Sequence, residues 1–184
     1  MSIDVPINLY NQRPAQQRSF ETQAAELGLD PLGKSPVEAD LGYALLGLLL
    51  DPDEFGAPGF INLFMPQGSI SSLDEMPPIR FIAPGVINVA PGCWVDRYQS
   101  DFLLDVKTPR SKRIVRGTLE CDGHNYHDRT PEQASHDRAR DRQFQDQGIY
   151  VLRYTATDIA EDPKHCARDA INILLRRSAM RERV

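Results

Sequence analysis

Read by the spacing of its apolar positions, the chain divides into a helical opening, a strand-rich middle and a mixed C-terminal third. Met1 to Pro14 keeps no period and holds two prolines, so an extended arm or a strand laid on the body is expected there. In Gln16 to Leu27, Phe20, Ala24 and Leu27 fall at helical spacing before Gly28, which predicts a short helix with its C-cap residue. The next helix is better marked. Ser35-Pro36-Val37-Glu38 supplies an N-cap serine, a proline at the first helical position and a glutamate at the third. The apolar run Leu41 to Leu50 then carries this helix to the Asp51-Pro52 break.

From Asp51 to Pro78 the composition shifts to Gly, Pro, Asp and Ser around one apolar patch, Phe60 to Met65, which reads as an insertion or a flap. Arg80 to Val89, Tyr98 to Val106 and Ile114 to Cys121 are rich in β-branched and aromatic residues and predict three consecutive strands. Thr130-Pro131-Glu132-Gln133 is a second capping-box start, for a helix from about Pro131 to Gln147 stopped by Gly148. Ile149 to Tyr154 follows as a strand. Asp162-Pro163 opens a last helix with Cys166, Ala170, Ile173 and Leu174 on one face. The order is helix, three strands, helix, strand, helix.

The chain of 184 residues suits one well-packed domain, since two separate cores of half that size would each be marginal. A hydrophobic fraction of 41% and a charged fraction of 26% are those of an ordinary globular protein. Tyr43 to Leu50, the longest apolar run, falls short of the roughly 20 residues that span a bilayer, and no basic-then-apolar signal opens the chain. A cytoplasmic protein with no membrane partner is expected. Cys93, Cys121 and Cys166 are odd in number and widely spaced, so they read as small buried hydrophobes rather than a disulfide framework or zinc site.

A net charge of −5 changes meaning when the halves are counted separately. Residues 1–100 hold five Lys/Arg against twelve Asp/Glu, and residues 101–184 hold sixteen against fourteen. The second half includes the group Lys107, Arg110, Lys112, Arg113 and Arg116. Such a loop can meet phosphates even on an acidic protein, because exposed charges more than about 10 Å apart are screened at physiological salt. A solvated turn accounts for the charges equally well.

Residues two apart on a strand point the same way, so Asp101, Leu103 and Asp105 share one face, as do Thr118, Glu120 and Asp122 on the following strand. Carboxylates converging between two strands repel and desolvate one another unless a cation lies among them, which is why such clusters often mark Mg²⁺ sites.

Four ordered motifs make the pattern specific. They are Asp101-Phe102; Thr118-Leu119-Glu120-Cys121-Asp122-Gly123-His124-Asn125-Tyr126-His127; His136-Asp137-Arg138-Ala139-Arg140-Asp141-Arg142; and Gln147-Gly148-Ile149-Tyr150-Val151-Leu152-Arg153-Tyr154. The series, over about residues 98–175, resembles the PD-(D/E)XK superfamily, in particular the small stand-alone endonuclease-domain proteins related to the very-short-patch-repair mismatch endonuclease. Ser35 to Leu50 resembles the leading helix of that fold. The resemblance implies an α/β, restriction-endonuclease-like domain: a mixed central sheet flanked by helices in an αβββαβ core. It would run over residues 35–178, with an insertion at about 51–79, an N-terminal arm and helix at 1–34 and a tail at 179–184.

The resemblance also implies a metal-dependent endonuclease that hydrolyses phosphodiester bonds in nucleic acid, DNA foremost, with Mg²⁺ as cofactor and Mn²⁺ able to substitute. Asp101 and Glu120 would bind the metal. Glu38 matches the helix glutamate that often completes the site, although the same carboxylate could reach back to the Ser35 N–H as a helix cap. Asp122 could join the catalytic carboxylates around the metal, but it stands where the signature lysine belongs, so another group must manage the proton. His127 occupies the place of the relatives' catalytic histidine, and His124 is the weaker candidate. Arg138, Arg140 and Arg142 on the following helix, with the Lys107 to Arg116 group, would meet phosphates, and Asp137 and Asp141 would hold those arginines. Two other readings stay open: the missing lysine suits a catalytically reduced nucleic-acid-binding module, and the acidic region 1–97 suits an accessory subunit docked onto a larger DNA-processing or defence complex. A homodimer is equally compatible. An HNH-type site at His124 to His127 would leave Asp101 and Glu120 without a role.

Overall fold

The computed structural model describes residues 22, 24–25, 32–51, 53–55, 60–64 as backbone, 85–109, 111, 114–122 and 130–180. Helix α1 spans Pro36–Leu50, and its Ser35 hydroxyl accepts from the Glu38 N–H as the capping pattern requires. Strand β1 is Phe60–Phe64, β2 Gly85–Pro91, β3 Trp94–Val95, β4 Tyr98–Gln99, β5 Phe102–Lys107 and β6 Val115–Asp122. Helix α2 is Pro131–Asp146, β7 Tyr150–Thr155, α3 Ala156–Glu161 and α4 Pro163–Met180. Of the helix expected over Gln16 to Leu27, Thr22, Ala24 and Ala25 are described and are helical; the rest, with the 1–14 arm, lies outside the described residues.

The main sheet has five strands in the order β1-β2-β5-β6-β7. β2 pairs antiparallel with β5 and β5 antiparallel with β6, whereas β1 with β2 and β6 with β7 are parallel pairs. The expected mixed α/β sheet flanked by helices is therefore present. Within the segment read as an insertion, Phe60–Phe64 is an edge strand of the sheet, so the apolar patch is part of the architecture rather than a flap.

Alternation sorts the strands onto two layers. Phe102, Leu104 and Val106 of β5 face one side with Ile87, Val89, Val115 and Leu119, packed against Leu41, Leu45 and Leu48 of α1 and Cys166, Ala170, Ile171 and Leu174 of α4. In α4 it is Ile171, not Ile173, that is fully buried beside Leu174. The other side carries a smaller apolar cluster, Ala90, Cys93, Val95, Tyr98, Leu103, Phe144 and Ile149. Phe144 is the one fully buried side chain that α2 supplies to it. The rest of the interface between α2 and the sheet is polar, and this polar ground positions the candidate site.

The three cysteines are free; Cys93 and Cys166 are buried and Cys121 partly so. Burial raises the thiols of Cys93 and Cys166 to about 11, which keeps them neutral. Among the described residues no helix is long and apolar enough to cross a membrane.

Gly117 of β6 sits under α4, where an added Cβ would lie 2.8 Å from Leu174 Cδ2 and 3.3 Å from the Tyr150 carbonyl oxygen. Leu174 is fully buried and has little room to yield. Gly117→Val is therefore expected to lower stability by about 1–3 kcal/mol, the usual cost of overpacking, measured as a lower urea midpoint. An unchanged midpoint would mean that α4 shifts freely.

Candidate active site

The run Tyr98 to Val106, expected as one strand, breaks at Ser100 and Asp101. The Gly92 N–H donates to the Asp101 carbonyl at 2.8 Å and the Ser100 N–H to the Cys93 carbonyl at 2.9 Å, so the β3–β4 hairpin folds back before β5 begins. Its turn places Asp96 at φ 55°, a conformation that Asp adopts more readily than most side chains. The break aims Asp101 at the neighbouring strand. β5 stops pairing with β6 at Phe102↔Leu119, while β6 runs on to Asp122. At this divergence the Asp101 carboxylate accepts the Cys121 N–H at 2.8 Å.

Glu120, one residue back on β6, is only 1% exposed. The Thr118 hydroxyl donates to Glu120 Oε1, and the Ser100 hydroxyl bonds in turn to Thr118 Oγ1, so the three form a buried polar chain. Arg140 of α2 supplies the opposing charge, with Nη1 3.2 Å from Glu120 Oε2. Burial, ahead of the Glu120 and Glu38 charges, pushes the Asp101 carboxyl up to about 7, against the pull of the Cys121 N–H and Arg140. Burial likewise raises Glu120, with Arg140 and the Thr118 hydroxyl opposing. Both acids are therefore held above the ordinary carboxylate range. One half-buried and one buried carboxylate thus lie side by side, with Arg140 against Glu120 and the charge of Arg153 also felt there.

Glu38 sits at the start of α1 with its carboxylate turned back on the residues before the helix. It caps α1, accepting the Lys34 N–H at 2.7 Å rather than the Ser35 N–H, and it takes a 3.3 Å bond from the Ser35 hydroxyl. Its charge also contributes to raising Asp101, so it borders the acidic pair.

Asp122 is held elsewhere. Arg153 of β7 donates from Nη1 to Asp122 Oδ1 at 2.9 Å and from Nη2 to Asp141 Oδ1 of α2, tying strand, strand and helix together. Asp141 thus braces Arg153 rather than an arginine of its own helix. Asp105 is also apart from the pair: Arg116, directly opposite it on β6, donates from Nε at 2.6 Å. Arg116 therefore serves a partly buried ion pair on the sheet. Arg138 and Arg142 are exposed on α2, and Lys107 is partly buried at the end of β5. Arg110, Lys112 and Arg113, and both His124 and His127, lie outside the described residues.

Among the described residues, no group of three His, Cys, Asp or Glu side chains is arranged to hold a metal ion. The donor chemistry still suits a hard divalent cation, because Asp101 and Glu120 offer carboxylate oxygens side by side, both raised by burial. Compared with family models, curated proteins and solved structures, the chain matches none.

Sequence reasoning grouped Arg138, Arg140 and Arg142 as one set. On a helix, residues two apart diverge; Arg138 and Arg142 share a face, and Arg140 lies on the face of Phe144 with Asp141. The signal was present in the lone large apolar residue of α2, which marks the side that meets the sheet. Arg153 and the Ser100–Thr118 hydroxyl chain were missed, since nothing local distinguishes them until β5, β6 and β7 are laid side by side.

Proposed function

We propose that the chain is a metal-dependent endonuclease hydrolysing phosphodiester bonds, with DNA as the substrate that the sequence resemblance favours. The observation that carries this reading is the pairing of half-buried Asp101 with fully buried Glu120 where β5 and β6 diverge. The element order supports a restriction-endonuclease-like core: α1, then β2, β5 and β6, then α2 and β7, with β2-β5-β6-β7 paired antiparallel, antiparallel and parallel.

Asp101 and Glu120, with Glu38 beside them, would hold Mg²⁺, and Mn²⁺ would substitute. Bound there, the cation would polarise the phosphate and lower the pKa of a coordinated water. The chain's own residues set the frame. The Cys121 N–H fixes the Asp101 carboxylate, the Thr118 hydroxyl fixes Glu120, and Arg153 ties Asp122 to Asp141. His127 is the proton acceptor in this reading, as its sequence position implies. Exposed Arg138 and Arg142 share one face of α2 and suit phosphate contacts.

The test is Mg²⁺-dependent nicking of supercoiled plasmid DNA by the purified chain, with a chelator as control. The Arg140–Glu120 ion pair favours a second reading, a nucleic-acid-binding module whose acids are neutralised internally. That reading expects a shifted plasmid band with no nicking at any Mg²⁺ concentration.

Glu38→Gln separates the two roles of Glu38, because a glutamine oxygen still accepts the Lys34 N–H while the charge is gone. Melting should fall by no more than a weakened cap costs, about 0.5–2 kcal/mol at most, while the nicking rate falls well beyond what that loss explains. A variant that cuts at the native rate would make Glu38 a cap alone.

A further inference from the structure

Arg140 takes no part in the scheme above, yet it touches the centre of the site. Its Nη1 lies 3.2 Å from Glu120 Oε2, its charge acts on Asp101 as well, and its side chain is 20% exposed at the rim. Its Nε is buried with no hydrogen-bond partner among the described residues. A guanidinium has five donors in a fixed fork, and leaving a buried one unmatched is costly, so it is the charge of the pair that holds Arg140 here. Arg153 is the contrast: it bridges Asp122 and Asp141 with two nitrogens and braces α2 against the sheet.

Resting on the nuclease reading, we propose that Arg140 is the resident counter-cation of the Asp101–Glu120 pair, displaced when a divalent cation binds and thereby released to the substrate phosphate. A metal ion held by Glu120 would compete for the oxygen that Arg140 contacts and would repel the guanidinium. Releasing Arg140 breaks one ion pair and frees an Nε that is unmatched in place. A planar guanidinium then matches phosphate oxygens in a bidentate fork, which supplies a cation to a site that has Asp122 where a lysine belongs. The buried state thus keeps two carboxylates tolerable in one place until metal arrives.

The test compares the native chain with Arg140→Met, Arg140→Gln and Arg140→Lys, using Mn²⁺ alone in calorimetry and melting with and without Mn²⁺, then plasmid nicking. Without metal, Arg140→Met and Arg140→Gln should melt below the native chain, and Mn²⁺ should restore them. Both should bind Mn²⁺ tighter by roughly 10- to 100-fold, the worth of one charged hydrogen bond that no longer has to be broken. Their nicking should fall despite the tighter binding, by on the order of 10²-fold, the usual loss when one charge-stabilising donor is removed. Arg140→Lys keeps a cation and should return all three readouts toward native. Unchanged or weaker Mn²⁺ affinity in Arg140→Met and Arg140→Gln, with the native chain binding Mn²⁺ normally, overturns the displacement alone. Failure of every chain, the native one included, to bind Mn²⁺ removes the nuclease reading itself.

Discussion

Asp101→Asn should abolish plasmid nicking and at the same time raise the melting temperature of the metal-free protein at neutral pH and above. The two effects share one cause. Asparagine has the size of aspartate, and its amide oxygen can still accept the Cys121 N–H that fixes Asp101 at 2.8 Å. It carries no charge, so burial no longer penalises it and Glu120 no longer repels it, the two largest influences that raise Asp101. What is lost is a charged oxygen donor for the cation. A simple structural role would give the opposite stability change, since disturbing a buried, bonded side chain usually destabilises. Normal turnover would remove Asp101 from the site, and a lower melting temperature would contradict the account of a pair raised by burial and repulsion.

The second large effect is a dependence of metal stabilisation on pH. Asp101 is raised from its ordinary value of 3.8 to about 7 in the folded chain. Below about pH 4 both states hold the proton and the group leaves stability unchanged. As pH rises through the window from 3.8 to about 7, the unfolded chain has lost the proton while the folded chain retains it, so stability is progressively lost, and above 7 the loss is complete. The raised Glu120 acts in the same sense. In the proposed reading a metal ion would bind the ionised pair and would have to displace the proton at low pH. Mg²⁺ should therefore raise the melting temperature by several degrees near pH 8 and by much less near pH 5. Equal shifts at both values, or a larger one in acid, would exclude the pair as the metal-binding group.

The elements most legible in the sequence were those with local punctuation. Ser35-Pro36 and Thr130-Pro131 start helices where caps and a proline at the first turn require it, and Asp51 and Gly148 end them. Where pairing partners decide, sequence failed. Tyr98 to Val106 has strand composition throughout, yet hydrogen bonds from Gly92 and Ser100 fold its beginning into a separate hairpin. The six-residue helix Ala156–Glu161 was missed, although the Thr155 hydroxyl and the Asp158 carboxylate form a capping box there, with aspartate in place of the usual glutamate. In the site, Asp101 and Glu120 stood out by motif order, whereas strand alternation also grouped Asp105 with Asp101, which the break before β5 separates. Arg140 did not follow from charge alone, because Asp137, Arg138, Asp141 and Arg142 on either side of it gave no face until Phe144 was taken as the anchor. The lock on Asp122 is a contact across 31 residues, which no local pattern carries.

Two helices seal one side of the sheet with aliphatic side chains, whereas the other side is covered by α2 through Phe144 and a set of polar contacts to Glu120, Arg153, Asp96 and Arg97. Apolar packing is not screened by dissolved salt, whereas partly exposed ion pairs are weakened by it. The cover over Asp101 and Glu120 is thus fastened by the same kind of force that, in the proposed reading, would draw a phosphate backbone to Arg138 and Arg142. Rising ionic strength would loosen the cover and lower the capture of substrate together, while the aliphatic side of the sheet holds.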